Sequence, residues 1–172
     1  MKSLSKKEKN EVAEKHPVFD WIDAMVSAAV FCMVIFTFFI KSFRVVGPSM
    51  LPNYVEGERV IVASVFTVIK PGDVVVTDAH NGTGDPLIKR VLALEGDEIY
   101  IEEDGTIYRN GEVYQDIVDT TRATRNGDTV YPLVVPEGCV FLLGDNRMVS
   151  FDSRYVQVGC VPVECIVGKV LN

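Results

Sequence analysis

The sequence predicts an all-β domain, partly closed into a barrel, carried on one N-terminal transmembrane helix. Three observations predict it. From Ala24 to Ile40 seventeen residues pass without a charge. Beyond that run helical periodicity gives way to short alternating or apolar stretches. Those stretches are separated by turn pairs at Pro71-Gly72, Asn81-Gly82, Asp104-Gly105, Asn110-Gly111, Asn126-Gly127 and Glu137-Gly138.

The anchor comes first. Trp21, Ile22, Ser42 and Phe43 extend the apolar stretch to residues 21–43, past Asp23 and Lys41 at its two ends, the roughly 20 residues that cross a bilayer as a helix. A cleaved export signal and a soluble core helix are the competing readings. An export signal's apolar stretch is about 7–15 residues and ends in a small-x-small site, whereas this run is longer and exits through Ile40-Lys41-Ser42-Phe43-Arg44. The nearest candidate cut, after Gly47, would leave Pro48 across the bond, without an N–H. Lys2, Lys6, Lys7, Lys9 and Lys15 precede the run and only Lys41 and Arg44 closely follow it. Topology follows Lys and Arg rather than net charge. Residues 1–20 are therefore expected in the cytoplasm and 44–172 on the outer face of the cell membrane, with the lipid bilayer as a partner.

The expected strands are Arg59–Val65, Asp73–Thr77, Leu87–Leu94, Glu98–Glu102, Thr106–Arg109, Thr129–Leu133, Cys139–Leu143 and Ile166–Val170. A closed or nearly closed sheet would leave few edges exposed. Residues 97–136 are more polar and carry three of the turn pairs in quick succession, as a hairpin-rich insertion would.

A net charge of −7 argues against nucleic acid as a partner, since phosphate binding needs a basic face. The outer cysteines, Cys139, Cys160 and Cys165, are odd in number and form no C-x-x-C pair. Buried thiols are the favoured reading over a Cys160–Cys165 bridge. With His16 and His80 the only histidines, there is little material for a zinc site or a His-based triad, and no metal or other cofactor is expected.

The stretch RVVGPSMLPNY, Arg44 to Tyr54, holds one serine, Ser49, between stiffening prolines directly after the anchor. A serine is a poor nucleophile unless a neighbour takes its proton. Without a histidine a neutral lysine can serve, which requires burial to lower a pKa of about 10.4. In PLIKRVLALEGD, strand alternation sets Lys89 among Leu87, Val91 and Ala93, with Arg90 on the opposite face. Taken alone, Lys89 fits a solvated edge strand equally well. Lys70, before Pro71-Gly72, reads as a turn residue. A third stretch, LLGDNRMVSFDSRYVQVGCV, packs Asp145, Asn146, Arg147, Ser150, Asp152, Ser153 and Arg154 after a strand. A surface loop with local ion pairs is the plain account of it.

Taken in order, GPSMLP after a membrane span, IKRVLALEGD and GDNRMVSFDSR resemble the motif set of bacterial type I signal peptidases. The resemblance runs from the anchor to Gly168-Lys169 and includes Gly57-Glu58, where the family usually has Gly-Asp. It implies the β fold shared with self-cleaving repressors and a Ser–Lys protease that removes signal peptides from exported preproteins. It further implies that Ser49 is the nucleophile, Lys89 the general base, Met50 a pocket-lining neighbour and Ser150 the orienting partner of the lysine. Arg90, Asp145, Asp152 and Arg154 match residues of supporting ion pairs. Gly47 stands where some relatives donate a hydroxyl to the oxyanion, so the Ser49 N–H is expected to carry that task. Pro48 and Met148-Val149 also depart from the family pattern. A peptidase dedicated to a narrow substrate such as a pilin, a cytoplasmic self-cleaving repressor and a non-catalytic tethered assembly module are the alternatives. The apolar run argues against the repressor, and the presence of Ser49 and Lys89 against the module.

Overall fold

The computed structural model describes residues 17–64, 68–115 and 127–171. The lysine-rich tail through His16, Val65 and residues 116–126 of the hairpin-rich stretch lie outside the described residues. Helix α1 spans Pro17–Phe39. Proline needs no N–H partner in a first turn, and Asp20 complements the positive helix start. The stretch Asp20–Phe39 has a mean hydropathy of 2.2 and none of it is buried against protein. Thr37 Oγ1 donates to the Met33 carbonyl at 2.7 Å, so even the hydroxyl is satisfied within the helix.

The helix ends four residues earlier than hydrophobicity suggests, because Ile40–Arg44 is a strand, β1. It pairs antiparallel with β2 (Arg59–Ala63) from Ile40↔Ala63 to Arg44↔Arg59. Ile40 and Phe43 are apolar in either conformation. What decides between them is a partner strand that lies far along the chain and leaves no local signature.

The main sheet has seven antiparallel strands in the order β1, β2, β11 (Ile166–Val170), β3 (Val74–Thr77), β4 (Ile88–Leu94), β9 (Cys139–Leu143) and β10 (Val161–Pro162), curled into a half-barrel. A second sheet, β7 (Glu112–Val113), β6 (Ile107–Arg109), β5 (Glu98–Ile101) and β8 (Leu133–Val134), comes from the hairpin-rich stretch. Its tightest turn, between β6 and β7, has Asn110 at φ 55° and Gly111 at φ 80°, the left-handed pair that a two-residue hairpin demands.

Two differences from the expected strands have local causes. Of the expected strand Thr129–Leu133 only Leu133 joins a sheet, together with Val134, because Thr129 is engaged elsewhere. Its N–H and Oγ1 donate to the Arg154 and Ser153 carbonyls. β1, β7 and β10 are additional; the last two are two residues each, too short for periodicity to register.

Strand β4 carries a bulge. Arg90↔Leu143 and Val91↔Leu142 are followed by Ala93↔Phe141, so Leu92 is an extra residue. The parity of the strand reverses there. Val91 packs with Val75, Val140 and Leu142, whereas Leu92 and Ala93 both join Ile99, Ile101, Phe141 and Leu143 in the core shared with the second sheet. Ala93 thus leaves the face it was expected to share with Lys89 and Val91. Cys139, Cys160 and Cys165 are free thiols, Cys165 buried and the other two half-buried.

Candidate active site

The serine segment is held from both ends. Val45 N–H donates to the Glu58 carbonyl and Gly57 N–H to the Val45 carbonyl, closing the loop that contains Ser49. Gly47 turns the chain at φ 79°, where a side chain would be strained although the space is open. Met50 is fully buried with Val45, Val60, Val62, Val74 and Val76. It plugs the loop into the core, and it is not among the residues that line the groove described below.

Asn146 reaches across from the loop after β9. Its N–H donates to the Ser49 carbonyl at 2.9 Å and its Nδ2 to the Pro48 carbonyl at 3.2 Å. Asn53 Nδ2 donates to Asp145 Oδ2 at 2.9 Å. These two asparagines were not marked by sequence reasoning as positioning groups. Bonds to backbone carbonyls leave no pattern, and only an arrest of the serine loop would have suggested them.

Lys89 Nζ donates to Ser49 Oγ at 2.9 Å and to the Ile88 carbonyl at 3.1 Å. The lysine is 3% exposed. Burial pushes its pKa down from 10.5 to about 8, against the upward pull of Asp152 and Asp145 and with a smaller downward push from Arg154. Burial prevails because each carboxylate already answers to an arginine. Asp145 receives Arg90 Nε and Nη2 at 2.8 and 2.7 Å, and Asp152 receives Arg154 Nε and Nη2 at 2.8 and 3.0 Å. The expected residues Arg90, Asp145, Asp152 and Arg154 are thus brought together as two pairs.

Ser150 lies beside this centre but does not bond the lysine. Its Oγ is buried and has no hydrogen-bond partner among the described residues. Gly144 explains the closeness. A Cβ there would meet Ser150 Oγ at 2.1 Å and the Ser49 carbonyl at 2.6 Å. Glycine is needed at this point for space rather than for an unusual φ.

Ser49 and Lys89 open onto a groove of about 570 Å³. Phe43, Val45, Val46 and the run from Asp85 to Ile88 are among the residues that line it. Among the described residues no group of three or more His, Cys, Asp and Glu could hold a metal ion. The arrangement is that of a hydroxyl beside an amine poised to take its proton, on a groove lined mainly by apolar side chains.

A family model described as "Signal peptidase, peptidase S26" matches residues 18–171. The chain is 32% identical over 157 residues to signal peptidase I of Bacillus licheniformis, covering 86% of this chain and 83% of that one. It is 31% identical over 174 residues to signal peptidase IB of Staphylococcus aureus strain COL, covering 91% and 88%. The crystal structure of a signal peptidase I from Enterococcus faecalis V583 is 29% identical, with a TM-score of 0.49 over 63% of this chain and 100% of that one.

Proposed function

The chain belongs to the signal peptidase family, peptidase S26, and on that premise we propose that Ser49 is its nucleophile and Lys89 its general base. The protein is a membrane-anchored endopeptidase that removes signal peptides from exported preproteins. The observation that carries the site assignment is the 2.9 Å contact between a buried lysine and the serine hydroxyl.

The steps follow from that contact. The neutral Lys89 amine takes the Ser49 proton as Oγ attacks the scissile carbonyl. The Ser49 N–H, which donates to no acceptor among the described residues, faces the oxyanion. The new Lys89 ammonium then protonates the leaving amine, and water repeats the sequence in reverse on the acyl-enzyme. While charged, Lys89 needs an acceptor that Ser49 Oγ, now bonded to the substrate carbon of the tetrahedral adduct, offers poorly. The unpartnered Ser150 Oγ supplies it and orients the lysine.

A general substrate range with small side chains at the residue before the cut and two residues before that fits an extended peptide, whose alternate side chains enter the groove. Cleavage of a panel of preproteins by the purified full chain tests this. Alanine at those positions should be cut readily, and phenylalanine at either should lower kcat/KM by at least about tenfold. Equal cleavage of both would defeat the reading.

The catalytic unit belongs on the outer face, with residues 1–20 inside, an orientation supported by the five lysines of that tail. The membrane tether concentrates the enzyme where its substrates are also anchored. Protease added to cells stripped of outer envelope layers should digest residues beyond the helix and spare the tail. Protection of the C-terminal unit would reverse the orientation.

A further inference from the structure

We infer that Asp85 makes the groove select substrates with a lysine or arginine a few residues from the scissile bond, a specificity that rests on the peptidase reading and deepens it. Among the described residues that line the groove Asp85 is the only acidic one, four positions before Lys89. Its carboxylate has no hydrogen-bond or ion-pair partner among the described residues. Asp145 and Asp152, by contrast, are each matched by an arginine. Arg44 lies on the groove as well, yet no ion pair joins it to Asp85.

The loop bearing this carboxylate is built to stay in place. Asn81, 2% exposed, donates from Nδ2 to Thr77 Oγ1 at 2.6 Å and to the Asp85 carbonyl at 2.8 Å. Its Oδ1 accepts from the N–H and hydroxyl of Thr83 at 2.9 and 2.7 Å. Gly82 lets the loop press on its neighbour, since a Cβ there would lie 2.5 Å from the Gln157 carbonyl. Leu87 is then tied by its carbonyl and N–H to the Thr77 N–H and Oγ1. The run from Asp85 to Lys89 is therefore a fixed ruler, at most about 13 Å long at roughly 3.3 Å per extended residue. A free, exposed carboxylate at the lining of the groove, on a backbone held in place, rewards a cationic side chain that reaches it and penalises an anionic one. Asp85 is not among the charges acting on Lys89, which feels Asp152, Asp145 and Arg154. Its effect is on which peptide binds, not on the base.

The test uses the purified full chain and peptides that carry alanine throughout the positions flanking the cut, with lysine or glutamate placed singly at each. At one position wild type should prefer lysine over glutamate by about fivefold in kcat/KM, mainly through KM, the effect of an ion pair worth about 1 kcal/mol. Asp85→Asn should bring that ratio close to one and Asp85→Lys should invert it. The wild-type pH profile should persist in Asp85→Asn. A wild-type ratio near one at every position, a ratio unchanged in Asp85→Asn, or a ratio lost together with a shifted pH profile overturns the inference alone. A wild type that leaves the alanine peptide uncut brings down the peptidase reading and this inference with it.

Discussion

Replacing Lys89 with arginine is expected to lower kcat/KM by at least about a thousandfold, within the range that a general base contributes. A guanidinium stays protonated at any working pH and cannot receive the Ser49 proton. Ser49→Ala should be comparably inactive, and the double variant scarcely worse, because two groups acting as a unit lose their effect together. The same assignment sets the pH dependence. With the Lys89 pKa lowered to about 8, the neutral amine grows about tenfold per pH unit below that value and saturates above it. Wild-type kcat/KM should follow that limb. Stability runs with the same sign. The folded chain binds this proton less readily than the unfolded one, so burial of Lys89 costs stability below about pH 8, and the cost fades as pH rises toward 10.5. A Lys89→Arg enzyme that keeps most of its activity would show that charge, rather than proton transfer, is what the position supplies.

The largest loss of stability should come from Asp152→Ala. Asp152 is fully buried and holds Arg154 Nε and Nη2 while accepting the Gly144 N–H at 3.0 Å. Its removal leaves a buried guanidinium without its counter-charge, a change that costs about 3–5 kcal/mol. The Lys169–Asp73 pair, at 2.7 Å with side chains 30% and 16% exposed, should matter far less because water already screens it. Thermal unfolding of the full chain in detergent should show Asp152→Ala lowered by roughly 10–20 °C. A shift of only a few degrees would mean that Arg154 finds other acceptors. It already donates from Nη2 to the Arg147 and Ser150 carbonyls.

Ser49 stood out for the prolines around it, and Lys89 for apolar strand neighbours that suit a solvated edge strand equally well; the resemblance to the signal peptidase motif set joined them as a pair. Their convergence to 2.9 Å was not legible, since nothing local links residues forty positions apart. The same holds for Arg90 and Asp145, since alternation gave the arginine a face but neither residue a partner. The turn pairs Asp104-Gly105 and Asn110-Gly111 marked the second sheet's hairpins through backbone preference alone. Strand β1 stayed hidden, because an apolar residue in a membrane helix and one on a sheet edge read alike. Gly144 stayed hidden for a different reason. Its value is the atom it lacks, between Ser49 and Ser150, and a sequence does not record what a side chain would have struck.

The extra residue at Leu92 bears on how this chain tolerates inherited change. In an uninterrupted strand, gaining or losing one residue turns every later side chain to the opposite face. β4 has already made that turn, between the half that carries Lys89 and the half that meets the second sheet. The slack sits in a bulge, where an unpaired residue is accommodated by a local bend. Alterations of length in the hairpins beyond Leu94 can therefore be taken up before they reach residue 89. A one-residue insertion in the turn between β5 and β6 is expected to leave the register of Lys89 with Val75 unchanged.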